Sequence, residues 1–187
     1  MTLLQTSRLL IRNFRASDWQ AFYALICQYQ ASELAAFDQP WPTSPEKLKS
    51  IVEWFAAGDS FLAVCLKRSG QLIGFVALNE VPHDGKPVFN LGYVFHFDFH
   101  GQGYASESCR AVLAHAFERL QAQRVVSGTA AANHASCRLL ERLGFQKTAE
   151  GTESFRTTAD GRPITFFGYT FELSQAEWQR IGLRQTP

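Results

Sequence analysis

Three apolar runs near the middle of the chain constrain the fold more than any other part of the sequence. These runs are FLAVCL, LIGFVALNE and VFNLGYVFHF, and they are rich in the β-branched and aromatic residues that strands favour. The connections between them are short, a turn at Ser69 and Gly70 and the stretch PHDGKP. Short turns between consecutive strands are typical of hairpins. The sequence therefore predicts an antiparallel meander of three strands.

The part of the chain before the meander predicts one strand and two helices. RLLIRNF predicts an opening strand. Ser17 and Gln20 have the spacing of a capping box ahead of apolar residues at helical intervals, which predicts a helix over residues 17–30. Ser44 is followed by a proline at the first helical position, and it predicts a second helix that ends before Gly58. The loop between these helices, residues 31–43, carries Phe37 and Trp41.

The part after the meander predicts two helices and three strands. An amphipathic helix follows Gly103, and RVVSGTAA predicts a strand. Asn133 is a favourable N-cap for the next helix, and Gly144 occupies the position of a left-handed C-cap. FQKTAEGTESF and ITFFGYTFEL flank TADGRP and predict a long hairpin, residues 145–173. Because the elements follow one another without repeats or linkers, we predict a single domain of the α/β (α+β) class over residues 1–187.

Composition narrows the range of partners. The formal net charge is +1 and 19% of the residues are charged, which gives no electrostatic footprint for nucleic acid or an anionic membrane. Arginines interrupt the apolar residues of MTLLQTSRLLIRN, so this segment matches neither a secretory signal nor a membrane span. We therefore expect a cytoplasmic protein, a monomer or homodimer, that binds neither nucleic acid nor membrane.

The four cysteines predict buried thiols rather than disulfides. Cys27, Cys65, Cys109 and Cys137 are far apart and fall within predicted regular elements, unlike the cysteines of a disulfide scaffold. Cys137 lies near a predicted helix start, where a thiolate is favoured, so a reactive thiol is an alternative at this position.

The stretch YVFHFDFHGQGYASES first suggests a metal site, because His96, Asp98 and His100 alternate with phenylalanines. Such alternation is typical of a strand that carries its polar side chains on one face. On a strand, His96 and His100 would lie about 13 Å apart at a rise of about 3.3 Å per residue. Ligands of one zinc ion each lie about 2.0 to 2.2 Å from it. We therefore predict no metal here.

Gly101 and Gly103 lie between the last strand of the meander and a helix start. Unpaired backbone N–H groups and the positive end of the helix dipole can bind an anion there, and glycine lets the backbone approach a phosphate closely. An ordinary strand-to-helix turn is an equal alternative on spacing alone. No Lys-Ser/Thr pair follows, as a P-loop requires. The dinucleotide fingerprint also fails, because Ser106 stands at its third small position and its acidic residue is missing.

Three motifs in order resemble those of the GNAT N-acetyltransferases. TSRLLIRNFRASDW resembles the opening of the RimJ/RimL branch, which acetylates ribosomal-protein N-termini. LGYVFHFDFHGQGYASES is similar to the acetyl-CoA segment of that branch, and NHASCRLLERLGF is similar to the helix that follows it. The resemblance covers nearly all of the chain. It implies the GNAT fold, a mixed and mainly antiparallel central sheet with helices on both faces, and splayed central strands between which pantetheine lies.

The resemblance also implies acetyl-CoA as the co-substrate and assigns residues to it. Backbone amides of residues 100–105 are expected to hold the pyrophosphate. Backbone groups of residues 93–95 are expected to pair with pantetheine and to help polarise the thioester carbonyl. The residues implied for cofactor binding are Tyr93, Val94, Phe95, His100, Gly101, Gln102, Gly103, Tyr104, Ala105, Asn133 at the pantetheine arm and Ser136 near the sulfur.

The general base does not follow from the resemblance. Asn90 stands where many relatives carry Glu, and Thr165 occupies a position that is often Asp. An amide cannot accept a proton from an amine. Glu80 or His96 is therefore expected to deprotonate the acceptor, directly or through water, and Ser136 to protonate the departing thiolate. Each has a structural alternative: an exposed strand end for Glu80, an exposed sheet residue for His96, and a first-turn helix residue for Ser136.

These features predict an enzyme that transfers an acetyl group from acetyl-CoA to a primary amine. The branch favours a protein or peptide N-terminus, and so does the reference pKa of an α-amino group, about 7.7 to 8.0 against about 10.4 for lysine. A free amino acid or a small amine is an alternative acceptor. A noncatalytic acyl-CoA-binding module is an alternative function, whereas an NAD-binding reductase is disfavoured by the missing acid.

Overall fold

The strands of the protein form one mixed sheet. A computed structural model of the chain describes residues 3–184, with the side chains of residues 183 and 184 left aside. Within that range, eight strands pair in the order β1-β2-β3-β4-β5-β6-β8-β7, and neighbours are antiparallel except β5 and β6. The strands are β1 (Leu3–Gln5), β2 (Leu9–Asn13), β3 (Phe61–Leu66), β4 (Leu72–Val81), β5 (Val88–Phe95), β6 (Arg124–Ala130), β7 (Gln146–Thr157) and β8 (Pro163–Ser174).

Helices cover both faces of this sheet. They are α1 (Trp19–Gln30), α2 (Pro45–Ala57), α3 (Tyr104–Ala114, continued by one π-helical turn, His115–Arg119), α4 (His134–Leu143) and α5 (Gln175–Arg184). Leu9 and Ile11 of β2 pack into a hydrophobic cluster with α3 and α4, whereas the intervening Leu10 packs against a second cluster with α1 and α2. Because alternate residues of a strand point to opposite faces, the two clusters lie on opposite sides of the sheet. The predicted fold class is confirmed.

Local sequence signals predicted several element boundaries correctly. β3, β4 and β5 form the antiparallel meander. The Ser44 hydroxyl accepts a hydrogen bond from the Lys47 N–H at the start of α2, and Gly144 ends α4 with a φ of 96°. The predicted hairpin is formed by β7 and β8. Within residues 3–184, no helix combines the length and apolar character that a bilayer span requires.

Two boundaries differ from the predictions, one because of a local turn and one because of a contact between distant residues. The first helix begins at Trp19 rather than Ser17, since residues 16–18 form a 3₁₀ turn and the Asp18 carboxylate accepts from the Arg15 N–H. The predicted strand across residues 93–100 is wrong beyond Phe95. There the Phe97 N–H donates to the Gln28 side chain at 2.8 Å, and residues 97–99 form a 3₁₀ turn.

β5 and β6 separate partway along their length. Their parallel pairing ends at Asn90 and Val126. β5 nevertheless stays paired with β4 as far as Phe95, and β6 stays paired with β8 as far as Ala130. At the branch point the Ser127 hydroxyl donates to the Leu91 carbonyl at 2.9 Å. The splayed central strands implied by the resemblance are therefore present, and a gap lies between them.

A buried ion pair fixes the entry to α1, and its removal tests how much it stabilises the fold. Arg12 donates to both carboxylate oxygens of Asp18 at 2.7 and 2.8 Å, and each residue is 9% exposed. Asp18→Asn leaves a buried guanidinium without its counter-charge. We expect the free energy of unfolding to fall by about 3–5 kcal/mol, measured by urea denaturation. Asp160→Asn, in the exposed pair with Arg162, is the control; equal effects of the two variants would contradict this account.

Candidate active site

The gap between β5 and β6 opens into a cavity of about 770 Å³. Ser136 of α4 lines it on one side of the sheet, and Tyr29 of α1 lines it on the other. Asn90 and Tyr93 of β5 and Phe166 of β8 form part of the wall between them. The cavity therefore passes through the sheet and connects the α3–α4 face with the α1–α2 face.

At the α3 end, the two glycines of the sequence motif form a turn that can hold an anion. Gly101 and Gly103 have φ values of 72° and 81°, and both line the cavity. A Cβ atom on Gly101 would meet no other group within 4 Å, so the backbone there faces open space. Gly103 is the N-cap of α3, and Tyr104 and Ala105 of its first turn also line the cavity. The N–H groups of a first helical turn lack partners within the helix, which suits a phosphate.

Ser136 lies in a hydrogen-bonded group in the cavity wall. The Asn133 side chain caps α4 by accepting from the Ser136 N–H at 3.1 Å. The hydroxyl oxygens of Tyr93 and Ser136 are 2.8 Å apart. Burial raises the pKa of Tyr93, so its phenol stays protonated over the neutral pH range. The pair can therefore pass a proton towards the cavity, because a hydroxyl both donates and accepts.

The remaining residues implied for cofactor binding divide into two groups. Val94, Phe95 and His100 line the cavity, and past Asn90 the β6-facing edge of β5 has no strand partner among the described residues. The His100 ring nitrogen Nε2 lies 2.9 Å from the Phe95 carbonyl, which ties the turn to the end of β5. Gln102 does not line the cavity. Its side chain is exposed and donates to the Asp98 carbonyl instead.

Glu80 and His96 are not brought to the cavity. Glu80 is exposed near the end of β4, on the face of Leu78, which packs with α3 and α4. Asn90 projects to the opposite face from its buried neighbours Phe89 and Leu91. Glu80 thus cannot replace an acid at position 90. The His96 ring nitrogen Nδ1 accepts from the Asp98 N–H at 3.4 Å, in the turn after β5. The structure gives no support for either residue as the base.

The alternative of a reactive thiolate at Cys137 and the question of a metal site can both be compared with the structure. Cys137 is half-buried, and burial, followed by the charge of Glu141, raises its pKa. This shift disfavours the alternative of a reactive thiolate. All four cysteines are free. Among residues 3–184, no group of three or more His, Cys, Asp or Glu side chains could hold a metal ion.

The α1 end of the cavity contains side chains that the sequence did not identify. Asp38 follows a 3₁₀ turn after α1 and accepts from the Tyr29 hydroxyl at 3.2 Å. Glu153 lies on β7 between Gly151 and Phe155, and all three line the cavity. Their alternation is a strand signal that could have placed them on one face. Neither Asp38 nor Glu153 forms an ion pair with a described residue, whereas Glu150 pairs with Lys147.

Only one of the two aromatic residues noted in the 31–43 loop lies in the cavity wall. Phe37 lines it, with its ring centroid 5.5 Å from that of Phe166. Trp41 instead packs into the core of α1 and α2, against Phe22 at 5.8 Å and Phe75 at 6.0 Å. The apolar wall is therefore made by the loop and the hairpin together.

The sequence profile of the acetyltransferase (GNAT) domain matches residues 8–146. The chain belongs to the GNAT acetyltransferase family. The chain is 27% identical over 146 residues to the uncharacterized N-acetyltransferase YnaD of Bacillus subtilis, covering 77% of this chain and 82% of that protein. The profile match and the relatives that are named N-acetyltransferases together establish this GNAT protein as an acetyl-CoA-dependent N-acetyltransferase.

Solved structures of GNAT enzymes have the same fold. Ribosomal-protein-S5-alanine acetyltransferase from Vibrio fischeri superimposes with a TM-score of 0.78 at 15% identity, covering 95% of this chain and 99% of that one. Spermidine N-acetyltransferase from Vibrio cholerae, in complex with CoA and spermine, gives 0.75 at 17% identity, covering 93% and 99%. Identities this low establish the fold alone. The open backbone at Gly101 and the helix start beside it fit the diphosphate of acetyl-CoA.

The diphosphate site can be tested with two glycines of matched geometry. Gly161, in the β7–β8 turn, has a φ of 82° and open space around it, as Gly101 does, but it does not line the cavity. Valine at either position imposes a similar backbone strain. We expect Gly101→Val to weaken acetyl-CoA binding about tenfold or more in calorimetry and Gly161→Val to leave it unchanged. Equal affinities of the two variants would remove the phosphate site from this turn.

Proposed function

We propose that the protein acetylates the α-amino group of a protein or peptide N-terminus. The observation that carries this proposal is the continuous cavity through the sheet, with the glycine turn at one end and the α1 end bounded by the 31–43 loop and the β7–β8 hairpin. Phe37 and Phe166 form an apolar wall that suits the first side chain of a peptide. Asp38 and Glu153 suit the cationic amine that arrives there.

The position of β7 supports an extended acceptor. β7 is the last strand in the sheet order, and its outer edge pairs with no strand among residues 3–184. Gly151 and Glu153 of this strand line the cavity. A peptide added to a free strand edge gains backbone hydrogen bonds, and its end can be directed into an adjoining pocket. A peptide N-terminus fits this arrangement because only its first residue has to enter the cavity.

The proton balance also favours an α-amine. A reference pKa of about 7.7 to 8.0 leaves a useful neutral fraction near pH 7, whereas lysine at about 10.4 requires a strong base or heavy desolvation. Asn90 lines the cavity at the position where many relatives carry Glu, and an amide is no base. In this proposal Asp38 or Glu153 holds the ammonium and accepts its proton through water. Glu80 and His96 have no part in it.

The residues of the chain can meet the other needs of the reaction. Acetyl-CoA supplies an acetyl group activated as a thioester. Backbone N–H groups at the free edge of β5 can donate to the acetyl carbonyl oxygen and stabilise charge there. The Ser136 hydroxyl can protonate the sulfur as it leaves, and Tyr93, at 2.8 Å, can replace the proton of Ser136. The proton that the amine releases to water in the cavity then restores the Tyr93 phenol, so that the step balances.

A small polyamine is the second candidate acceptor. Asp38, Glu150 and Glu153 place carboxylates in the cavity wall, and such groups also suit a compact molecule with several positive charges. One GNAT structure with this fold is named spermidine N-acetyltransferase, and another is named ribosomal-protein-S5-alanine acetyltransferase. We favour the peptide because an extended chain can form hydrogen bonds with the free edge of β7, whereas a small amine cannot.

A competition between acceptors tests the proposed substrate. An Ala-initiated peptide without lysine, the N-terminally blocked form of a peptide with one lysine, and spermidine are offered together with labelled acetyl-CoA. We expect the free N-terminus to be acetylated about tenfold faster or more, a difference of about 1.4 kcal/mol, measured by mass spectrometry. Preferential labelling of spermidine would establish the second candidate, and preferential labelling of lysine would overturn both.

Variants of the two hydroxyl residues test the proton path. Ser136→Ala is expected to slow the single-turnover rate about 10² to 10⁴-fold, the usual contribution of general acid catalysis. Tyr93→Phe removes the donor to Ser136, so we expect a smaller loss in the same step, with acetyl-CoA affinity retained for both. Ser108→Ala is the control, because this buried hydroxyl donates to the Tyr104 carbonyl within α3. Wild-type turnover in Ser136→Ala would assign Ser136 to capping alone.

A further inference from the structure

The first turn of α3 carries an acid beside the glycine turn. Glu107 lies three residues after Tyr104, at the helix end that suits a phosphate. Its oxygen Oε1 accepts from the Arg8 N–H at 3.0 Å and from the Ser7 hydroxyl at 3.2 Å. Although burial opposes ionisation, hydrogen bonds from Thr6 and Arg8 hold the pKa of Glu107 below its ordinary value. A carboxylate at this place is a negative charge next to a site for anions.

Arg8 contacts both this carboxylate and the turn itself. Its guanidinium nitrogens Nε and Nη2 each lie 2.6 Å from Glu107 Oε2. The third nitrogen, Nη1, donates to the Gln102 carbonyl at 3.0 Å. The guanidinium also lies 4.4 Å from the centre of the Tyr104 ring, and a Cβ atom on Gly103 would be 3.3 Å from Nη2. One side chain from the β1–β2 turn thus contacts the glycine turn at Gln102 and the start of α3 at Tyr104 and Glu107.

We propose that Arg8 is a positioning residue for acetyl-CoA. It neutralises Glu107 at the helix start, and it fixes the Gln102 carbonyl so that the N–H groups of the turn remain directed at the diphosphate. An exposed ion pair contributes little to stability, and the Arg8 side chain is 46% exposed. The Arg8–Glu107 pair is therefore expected to affect the affinity for acetyl-CoA, because an uncompensated Glu107 carboxylate would repel the phosphates.

A double-mutant cycle separates neutralisation from direct contact. Arg8→Met leaves Glu107 charged, and we expect it to weaken CoA binding about ten- to hundredfold, measured by calorimetry. Glu107→Gln alone should bind CoA at least as well as wild type. Arg8→Met with Glu107→Gln should recover the part of the loss that comes from the uncompensated carboxylate, and the loss that remains measures the Gln102 contact. A double variant that binds as weakly as Arg8→Met, or a loss in Glu107→Gln as large as that in Arg8→Met, would overturn the neutralisation.

A phosphate-free donor distinguishes positioning from general damage to the fold. Acetyl-pantetheine lacks the diphosphate, so Arg8→Met should leave its turnover unchanged while raising KM for acetyl-CoA. Arg8→Lys keeps the positive charge but cannot contact Glu107 and Gln102 at the same time as the guanidinium does, so its CoA affinity should fall between those of wild type and Arg8→Met. Arg124→Met is the matched control, since Arg124 is 40% exposed and pairs with Glu172 of the neighbouring strand β8, away from the glycine turn. Equal loss with both donors, or unchanged CoA affinity in Arg8→Met, would refute the proposal, whichever amine is the acceptor.

Discussion

The separation of β5 from β6 beyond Asn90 and Val126 determines what the rest of the structure can do. In a continuous sheet these strands would satisfy each other's backbone groups, and no passage would connect the two faces. Here β4 continues to hold β5 and β8 continues to hold β6, so both strands stay ordered after they part. The bond from the Ser127 hydroxyl to the Leu91 carbonyl occupies the branch point. Each strand therefore keeps one free edge within a rigid frame.

The two ends of the cavity differ in their local charge. At the α3 end, backbone groups provide the attraction for an anion, and the acid of the first helical turn is matched by Arg8. At the α1 end, Asp38 and Glu153 form no ion pair with a described residue. The two ends therefore suit opposite charges. A formal net charge of +1 contains none of this information, because it excludes polyanionic partners without describing local sites.

The parts of the fold that the sequence predicted are those encoded by neighbouring residues. Ser44, Asn133 and Gly144 mark helix ends because capping depends on a few adjacent positions. The meander likewise follows from short turns. The end of β5 could not be predicted, since it depends on Gln28. The acids Asp38 and Glu153 line the same cavity only because the hairpin folds against the α1 side. The motifs predicted residues that do line the cavity, namely the two glycines and Ser136, whereas no local pattern predicts that Asp38 and Glu153 also line it.

The passage through the sheet also has a kinetic consequence. A closed pocket with one entrance makes two substrates share a route, so the first to bind can obstruct the second. In this protein the cavity reaches both faces, with Ser136 towards one and Tyr29 towards the other. Donor and acceptor can approach from opposite directions and meet at the gap between the strands. A cavity that reaches both faces therefore removes the obstruction that a single entrance would place in the way of the second molecule.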